Sequence, residues 1–356
     1  MTRYSAWPPW AARSALVLLL VLTVVGALSK PPPMDHFGRP PEWRDWMLHR
    51  SIVGRVMKGE SYYAAAAAEH RLHRYPTTPP EVFREPTLAW FLAALRSDPV
   101  RRGVLFALSL VTLVALWFAL ARSGIGHMRR AIAFLLIGGG VALAWTPISP
   151  YSHEIWAGLL IALSLASYAP GRWRLAILLG LIAACVRELS VLYLVVMAAF
   201  AFHEQSWREF RDWLAAILSF AVLFVVHLSI ASGLYRPGDL TFTSAGWFHF
   251  GGWPFVVEAS KLNLFIYFAP RFVAAIWAVL AVLGFVGVRD RWLSRTALIV
   301  CGYMVAFLIV GLPGNAYWGL LYVPLFPIGV VLAPEALSEL ISRAVPKRGS
   351  PRPVPD

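Results

Sequence analysis

The amino-acid sequence predicts an all-α membrane protein, a polytopic transmembrane helical bundle of about ten spans. Its 356 residues are 58% hydrophobic and only 14% charged, and the mean hydropathy is +0.62. A soluble domain of this length does not carry so much apolar surface. The apolar residues also fall into separate runs bounded by short polar segments, as in proteins that cross a membrane several times.

Ten apolar runs are candidates for transmembrane helices. Several are shorter than the roughly 20 residues that cross a bilayer core, so we expect these helices to extend into their flanks or to end at a cavity inside the protein. The first run is also compatible with a signal peptide cleaved near Ala27, but the long aromatic segment after it favours a retained span. The runs are residues 14–28, 104–120, 131–145, 155–168, 175–186, 189–202, 214–231, 272–288, 297–310 and 320–332.

The net charge of +13 comes largely from arginines in short loops, so it indicates a membrane topology rather than a nucleic-acid partner. With a cytoplasmic N-terminus, the predicted cytoplasmic segments carry 16 lysines and arginines, and the predicted outward segments after residue 102 carry 4. The other 12 lie in residues 30–102, and long translocated segments are largely exempt from the charge rule. We therefore expect a multi-pass protein of the inner (plasma) membrane, with both termini cytoplasmic.

This topology divides the chain into four parts. They are the N-terminus and first span (1–29), an outward loop with interfacial helices (30–102), the transmembrane bundle (103–337) and a basic, disordered cytoplasmic tail (338–356). In the outward loop, Trp43, Trp46 and Met47 have helical spacing, which predicts an amphipathic helix along the membrane surface. That helix would present Asp45 near lipid headgroups and His49 on a solvated face. Further helices are predicted at residues 60–74 and from about residue 86.

The run from residue 175 to residue 202 has only two charged residues, Arg187 and Glu188. As one helix its 28 residues would measure roughly 42 Å, too long for a single span at about 1.5 Å per residue. Both flanks are basic, so we expect two crossings with the charged pair at an outward hairpin tip. There the pair either caps the helices in water or lies at the rim of a functional cavity.

Few features indicate a metal or a cofactor. Cys185 and Cys301 lie inside apolar runs, which indicates neither a disulfide framework nor a thiolate metal site. No residue pattern specifies a cofactor, and the use of a divalent metal stays open.

Three features together resemble the GT-C superfamily, the polytopic membrane glycosyltransferases that use polyprenyl-phosphate-linked sugars. The first is an acidic residue that opens a helix followed by Gly and tyrosines, "DWMLHRSIVGRVMKGESYY". The second is the outward hairpin "GRWRLAILLGLIAACVRELSVLYLVVM", and the third is the cytoplasmic N-terminus with a large first outward loop. The resemblance covers residues 14–202. It departs from the family's pattern because separated Asp35 and Asp45 replace an acidic pair after the first span, and because no large C-terminal soluble domain follows.

The resemblance implies transfer of a sugar from a polyprenyl phosphate donor in the lipid bilayer to an acceptor on the extracytoplasmic side. Such a reaction needs a carboxylate to take the acceptor's proton, here Asp45 or, in its place, Asp35. It also needs cations to hold the leaving phosphate. The candidates for that role are Arg84, Arg187, Lys261 and Arg271. Further candidates for substrate binding are Glu188, His153, Glu154, Asn315 and Tyr317. For Tyr317 and Trp318, a place in the interfacial aromatic belt is the favoured alternative.

Two other functions stay open at this point. A transporter or flippase of a lipid-linked or small polar substrate would favour inverted repeats and broken helices at mid-membrane in both halves. The charges here lie at the ends of spans, which favours the enzyme. A catalytically silent relative that serves as an assembly partner is the second alternative. The sequence does not specify the oligomeric state, the sugar or the acceptor.

Overall fold

A computed structural model describes residues 2–30, 44–242, 250–312 and 314–345. The regular elements of this part of the chain are helices, with isolated bridges from Thr78 to Thr241 and from Ala169 to Arg172. The predicted all-α fold class is therefore confirmed. Asp35 and the end of the predicted tail, 346–356, lie outside the described residues.

Fourteen α-helices occur in the described residues. They are α1 (Pro9–Leu28), α2 (Asp45–Met57), α3 (Tyr62–Leu72), α4 (Thr87–Ala94), α5 (Asp98–Arg122), α6 (His127–Val141), α7 (His153–Ser167), α8 (Arg174–Val186), α9 (Val191–His203), α10 (Trp207–Ser232), α11 (Gly252–Ser260), α12 (Arg271–Val286), α13 (Arg291–Val310) and α14 (Phe326–Ala344). A short 3-10 helix, Arg3–Ala6, precedes α1. Others lie between the α-helices, at Pro80–Val82, Ala142–Trp145, Ser149–Tyr151, Glu188–Ser190 and Ala316–Leu321.

Five helices of the described chain are long and apolar enough to cross a membrane, namely α1, α5, α6 with the turn after it, α10 and α13. Four shorter apolar helices accompany them: α7, α8, α9 and α12. The run predicted at 320–332 instead forms a 3-10 turn and the start of α14. That helix continues to Ala344 and so extends into the segment predicted as a disordered tail. The count of ten spans stays a prediction.

The run from 175 to 202 reverses its direction at the predicted position. α8 ends at Val186 and α9 begins at Val191. Gly180 of α8 packs against α9 so closely that a Cβ there would lie 2.8 Å from Cδ2 of Leu194. Trp173, just before α8, donates a hydrogen bond to Asp212 of α10 at 3.0 Å. The start of α8 thus lies beside the chain that follows α9, and the reversal at Arg187 and Glu188 is confirmed.

At one end of the bundle, which we call the basic end, hydrogen bonds join residues that are far apart in the sequence. There Arg3 N donates to Gly287 O at 2.8 Å, and Arg122 Nη2 donates to Ala166 O at 2.7 Å. Arginines of the helix ends and of the loops that join them gather at this end, among them Arg122, Arg129, Arg172, Arg208, Arg289 and Arg295. We call the opposite end the covered end, because α2, α3 and α4 lie over it.

The covering layer is held by apolar packing and by ion pairs. α2 buries Leu48, Ile52 and Val53 against α3 and α4. Arg71 of α3 pairs with Asp239 at 2.8 Å, so the chain after α10 is fixed to this layer. The helix predicted from Asp45 is present, and its position along a membrane surface stays a prediction.

The segment 232–271 contains a helix that the sequence analysis did not predict. α11 buries most of its residues, including Phe255 and Val256, and packs against α1, α12 and α13. It also supports the turn Ala316–Leu321, because the close approach of Gly319 to the Ala259 carbonyl leaves no room for a Cβ. The α11 part of this segment therefore belongs to the bundle.

Candidate functional site

The turn between α8 and α9 carries a fully buried arginine. Arg187 is 0% exposed, and its extended backbone ends α8 so that its side chain enters the protein. Its Nε donates to Glu154 Oε1 at 2.7 Å, and its Nη1 donates to Glu188 Oε1. Its Cζ lies 5.8 Å from the ring centroid of Trp318. Because a buried cation is stable only when it is paired, the two carboxylates fix this guanidinium in place.

The start of α7 supplies one of these carboxylates. The turn Ser149–Tyr151 leads into the helix and is held by a hydrogen bond from Trp156 Nε1 to Pro150 O at 2.9 Å. Glu154 lies in the first helical turn, where the helix dipole favours a negative charge. His153 packs its ring edge-on against His49 of α2, with 4.5 Å between the centroids. α7 therefore joins the covering layer to the buried arginine.

The loop before α4 brings two more charged residues to this place. His227 Nε2 lies 3.2 Å from Phe83 O, and the Tyr62 hydroxyl donates to Arg84 O, so both backbone groups are held from other helices. Arg84 Nη1 approaches Glu188 Oε1 at 3.5 Å. Glu85 is only 5% exposed, and its Oε2 has no hydrogen-bond partner among the described residues.

Glu85 is a residue that the sequence analysis missed. In the sequence it is one acidic residue between an arginine and a proline in a loop, which is ordinarily a solvated position. Burial raises the pKa of its carboxyl from 4.5 to about 8, although the Arg187 guanidinium acts in the opposite direction. A buried carboxyl with a raised pKa beside an arginine is typical of functional sites.

Asp45 lies at the rim of the same region. It is the first residue of α2, it is exposed, and its Oδ1 accepts a hydrogen bond from the Tyr75 hydroxyl at 2.9 Å. Its charge acts on both His49 and Tyr317. The predicted carboxylate therefore lies near the buried charges, at a position open to solvent.

His49 does not occupy the solvated face that was predicted for it. Its ring packs on His153, and burial lowers its pKa to about 3, with a further lowering by Arg84. The imidazole is therefore neutral near pH 7. A small cavity of about 10 Å³, the space of one water molecule, lies beside the two histidines and is also lined by Tyr62 and Tyr151.

The turn Ala316–Leu321 closes the site from the other side. Asn315 O accepts a hydrogen bond from Trp318 N at 2.9 Å and so starts the turn. Trp318 is only 2% exposed, which makes the aromatic-belt interpretation wrong for this residue. Tyr317 is partly buried, and burial raises its pKa, with smaller effects from charges that include Asp45, Glu154 and Arg187.

Two predicted residues are not brought to this place. Arg271 donates to Glu258 Oε2 at 3.0 Å, to Pro254 O at 3.0 Å and to Gly26 O at 3.1 Å, so it connects α1, α11 and α12. Lys261 follows α11, and its ammonium has no ion-pair partner in the described part of the chain.

The structure thus assembles one group of side chains at the covered end, which we call the charged cluster. Its members are Asp45, Arg84, Glu85, Glu154, Arg187 and Glu188, with His49, His153, Tyr317 and Trp318 around them. The cluster offers a carboxylate at its rim, arginines behind it and aromatic rings at its side. In the residues that the structure describes, no group of three or more His, Cys, Asp or Glu side chains is arranged to hold a metal ion.

In comparisons with known proteins, the chain matches no family model, no curated protein and no solved structure. The resemblance to the GT-C superfamily therefore depends on the sequence motifs, and the function has to be argued from the charged cluster itself.

Proposed function

We propose that the protein is a membrane glycosyltransferase of the GT-C type, which moves a sugar from a polyprenyl phosphate donor to an acceptor on the extracytoplasmic side. One observation carries the proposal. Seven of the residues proposed from the sequence as catalytic or substrate-binding, among them Asp45, Arg84 and Arg187, belong to the charged cluster, although they come from separate segments of the chain. A site for a lipid-linked phosphate and a hydroxyl acceptor needs this combination of cations and carboxylates.

Activation of the acceptor hydroxyl and binding of the leaving phosphate need different residues. The acceptor oxygen forms a bond to the anomeric carbon of the sugar, while the bond from that carbon to the phosphate oxygen breaks and the phosphate keeps the electron pair. Asp45 takes the proton of the acceptor hydroxyl, because it is exposed at the rim where an acceptor can enter. Arg84 holds the leaving phosphate, since its side chain is 18% exposed and its nearest carboxylate oxygen, on Glu188, is as far as 3.5 Å away.

A small apolar cavity of about 10 Å³ is lined by residues that are neighbours in sequence of the charged cluster. It lies between the end of α6, the start of α7 and the segment after Trp318. Ile155 and Leu320, which line it, are close in sequence to Glu154 and to Trp318. A cavity of this size holds about one water molecule, so the polyprenyl chain of a donor does not fit inside it. The lining residues are Gly140, Val141, Leu143, Ala144, Ile155, Leu159, Leu320, Val323 and Pro324.

The proposed topology places the covered end outside and the basic end in the cytoplasm. The gathering of arginines at the basic end supports this orientation, because cytoplasmic loops carry an excess of Lys and Arg. The proposal includes ten crossings of the inner membrane, in which the short helices α7, α8, α9 and α12 span a part of the bilayer that the protein itself thins or fills.

Purified protein in lipid nanodiscs tests the proposal directly. We expect it to release polyprenyl phosphate from a radiolabelled polyprenyl-phosphoryl hexose or pentose and to transfer the label to an acceptor. Arg84→Ala should lower kcat/KM for the donor at least about 10-fold, since a charge-assisted contact is lost. Arg102→Ala is the matched control, because this exposed arginine lies in the same long segment outside the cluster. Movement of an intact donor across the membrane without cleavage would instead support a flippase.

A further inference from the structure

Buried polar atoms without a partner are concentrated in the charged cluster. Among the described residues, seven buried side-chain polar atoms have no hydrogen-bond partner. Three of these atoms are Oε2 of Glu85, Nη2 of Arg187 and Nε1 of Trp318. Folded proteins satisfy nearly all their buried polar groups, and each exception is costly. Three such atoms in one cluster therefore indicate a place that a polar ligand completes.

The arginine in this group is held rigidly. Nε of Arg187 donates a hydrogen bond to Glu154 at 2.7 Å, and its Nη1 donates to Glu188. Nη2 therefore remains as a donor in a fixed direction. The ring of Trp318 lies beside the guanidinium, with 5.8 Å from Cζ to its centroid, and its Nε1 is a second fixed donor. Glu85 is close enough for the Arg187 charge to act on its carboxyl. Two donors and one carboxyl oxygen thus belong to the same buried region.

The charge balance of this region does not favour a second phosphate. The positive charges of Arg84 and Arg187 are matched by Glu154 and Glu188, with which they pair. A phosphate bound deep in the cluster would therefore meet no net positive charge from these pairs. A neutral hydroxyl group fits better, because it accepts one hydrogen bond and donates another. The raised pKa of the Glu85 carboxyl is consistent with a neutral ligand.

We infer that Glu85, Arg187 and Trp318 form a subsite for a neutral polyhydroxylated group. Nη2 of Arg187 and Nε1 of Trp318 donate to its hydroxyl oxygens, and Oε2 of Glu85 accepts from a hydroxyl. The inference rests on the proposed function for the identity of this group, which is then the sugar of the lipid-linked donor. Arg84 serves the phosphate at the more exposed side, while Glu85 determines specificity for the sugar without taking part in the bond changes.

A comparison of the binding of a polyprenyl phosphate with and without an attached sugar tests the subsite. The probes are undecaprenyl phosphate and undecaprenyl-phosphoryl glucose, mannose or arabinose, titrated against the full chain in nanodiscs. Glu85→Met keeps the length of the side chain and removes its hydrogen bonds. We expect it to weaken the best-bound sugar-carrying lipid about 10- to 100-fold and to leave undecaprenyl phosphate within about twofold. Glu81→Met, on the same loop, is the matched control and should change neither affinity.

Trp318→Phe provides a second, independent variant if Glu85→Met folds poorly. It keeps an aromatic ring beside Arg187 and removes the N–H donor, so a loss of about 3- to 10-fold is expected for the sugar-carrying lipid alone. The subsite would be overturned, and the proposed function would stand, if wild-type protein binds and transfers the sugar while both variants bind the two lipids as wild type does. An equal loss of affinity for both lipids in the two variants would have the same meaning. Wild-type protein that binds neither lipid would overturn the proposed function and the subsite together.

Discussion

Arg187 Nε donates a hydrogen bond to Glu154 Oε1 at 2.7 Å and so fixes the tip of the α8–α9 hairpin to the first turn of α7. The two side chains are 0% and 6% exposed. Neither charge can be satisfied by bulk water, so each depends on the other. The pair therefore contributes to the fold of the site.

Removal of one partner should destabilise the protein more than removal of both. Arg187→Met leaves the Glu154 carboxylate buried without a cation, which costs about 3–5 kcal/mol in comparable pairs. The double variant Arg187→Met, Glu154→Met removes the uncompensated charge, so we expect it to regain part of that loss. Thermal unfolding of wild type, Arg187→Met, Glu154→Met and the double variant in the same detergent measures the difference. A double variant that is less stable than either single variant would contradict a mutual dependence.

The close approach of α7 to the Ala316–Leu321 turn gives a second prediction. A Cβ at Gly158 would collide with the Leu320 carbonyl oxygen, and backbone cannot move away as a side chain can. Gly158→Ala should therefore displace the turn that carries Tyr317 and Trp318, lowering the unfolding temperature and sugar transfer together. Gly138→Ala on α6 is the matched control, because its Cβ would meet nothing within 4 Å. That variant should be neutral or stabilising by up to about 1 kcal/mol.

Sequence reasoning predicted the parts of the site that depend on local pattern. The reversal at Arg187 and Glu188 follows from the length of an apolar run compared with the thickness of a bilayer. The position of His153 and Glu154 follows from the start of the earlier apolar run, 155–168. Both signals are contained in one segment of the chain. The structure confirms the reversal, and it shows in addition that Arg187 pairs with Glu154 and Glu188.

The parts that the sequence did not predict depend on contacts between distant segments. Glu85 is buried because Tyr62 and His227 hold the neighbouring backbone carbonyl groups, and nothing near residue 85 indicates those partners. Arg271 is engaged by the end of α1, some 245 positions earlier in the chain. Trp318 is inside because α11 supports its turn, and α11 itself lay within a segment interpreted as a loop.

Labelling of single cysteines tests the proposed orientation. In a background with Cys185→Ala and Cys301→Ala, Lys58→Cys lies exposed at the covered end and Arg208→Cys lies exposed at the basic end. A membrane-impermeant thiol reagent added outside intact cells should modify the first and spare the second until the cells are opened. The reverse pattern would place the charged cluster in the cytoplasm and would remove the extracytoplasmic reaction from the proposal.

The raised pKa of Glu85 predicts a dependence of stability on pH. The folded carboxyl releases its proton at about 8 and the unfolded carboxyl at about 4.5, so the folded state holds more protons between these values. The unfolding free energy of wild type should therefore fall, relative to Glu85→Gln, as the pH rises from 4.5 to 8.

The comparison between the two proteins isolates this carboxyl from the other groups that face it. Arg187, Tyr62, Tyr63 and Cys185 interact with Glu85 and are present in both proteins. Burial raises the pKa of both tyrosines, so they stay neutral over this range. Melting temperatures measured at half-unit steps of pH give the difference directly. A constant difference from pH 5 to pH 8 would mean that Glu85 ionises normally.

The hydrogen bond from Tyr75 to Asp45 leads to the prediction that tests the proposed base. Asp45 begins α2 at the rim of the charged cluster, and the Tyr75 hydroxyl orients its carboxylate at 2.9 Å. Asp45→Asn keeps the shape and removes the base, so we expect kcat for sugar transfer to fall at least about 100-fold, the lower end of what a general base contributes. Tyr75→Phe should reduce kcat less, because the base remains and only its orientation is lost. Asp35→Asn should also have a smaller effect, since Asp45 is the proposed base. Initial rates with a saturating polyprenyl-phosphate-linked sugar, normalised to folded protein, compare the three variants.

An inactive Asp35→Asn beside an active Asp45→Asn would move the base to the earlier carboxylate, whereas activity in both variants would leave the proposed transfer reaction without a base.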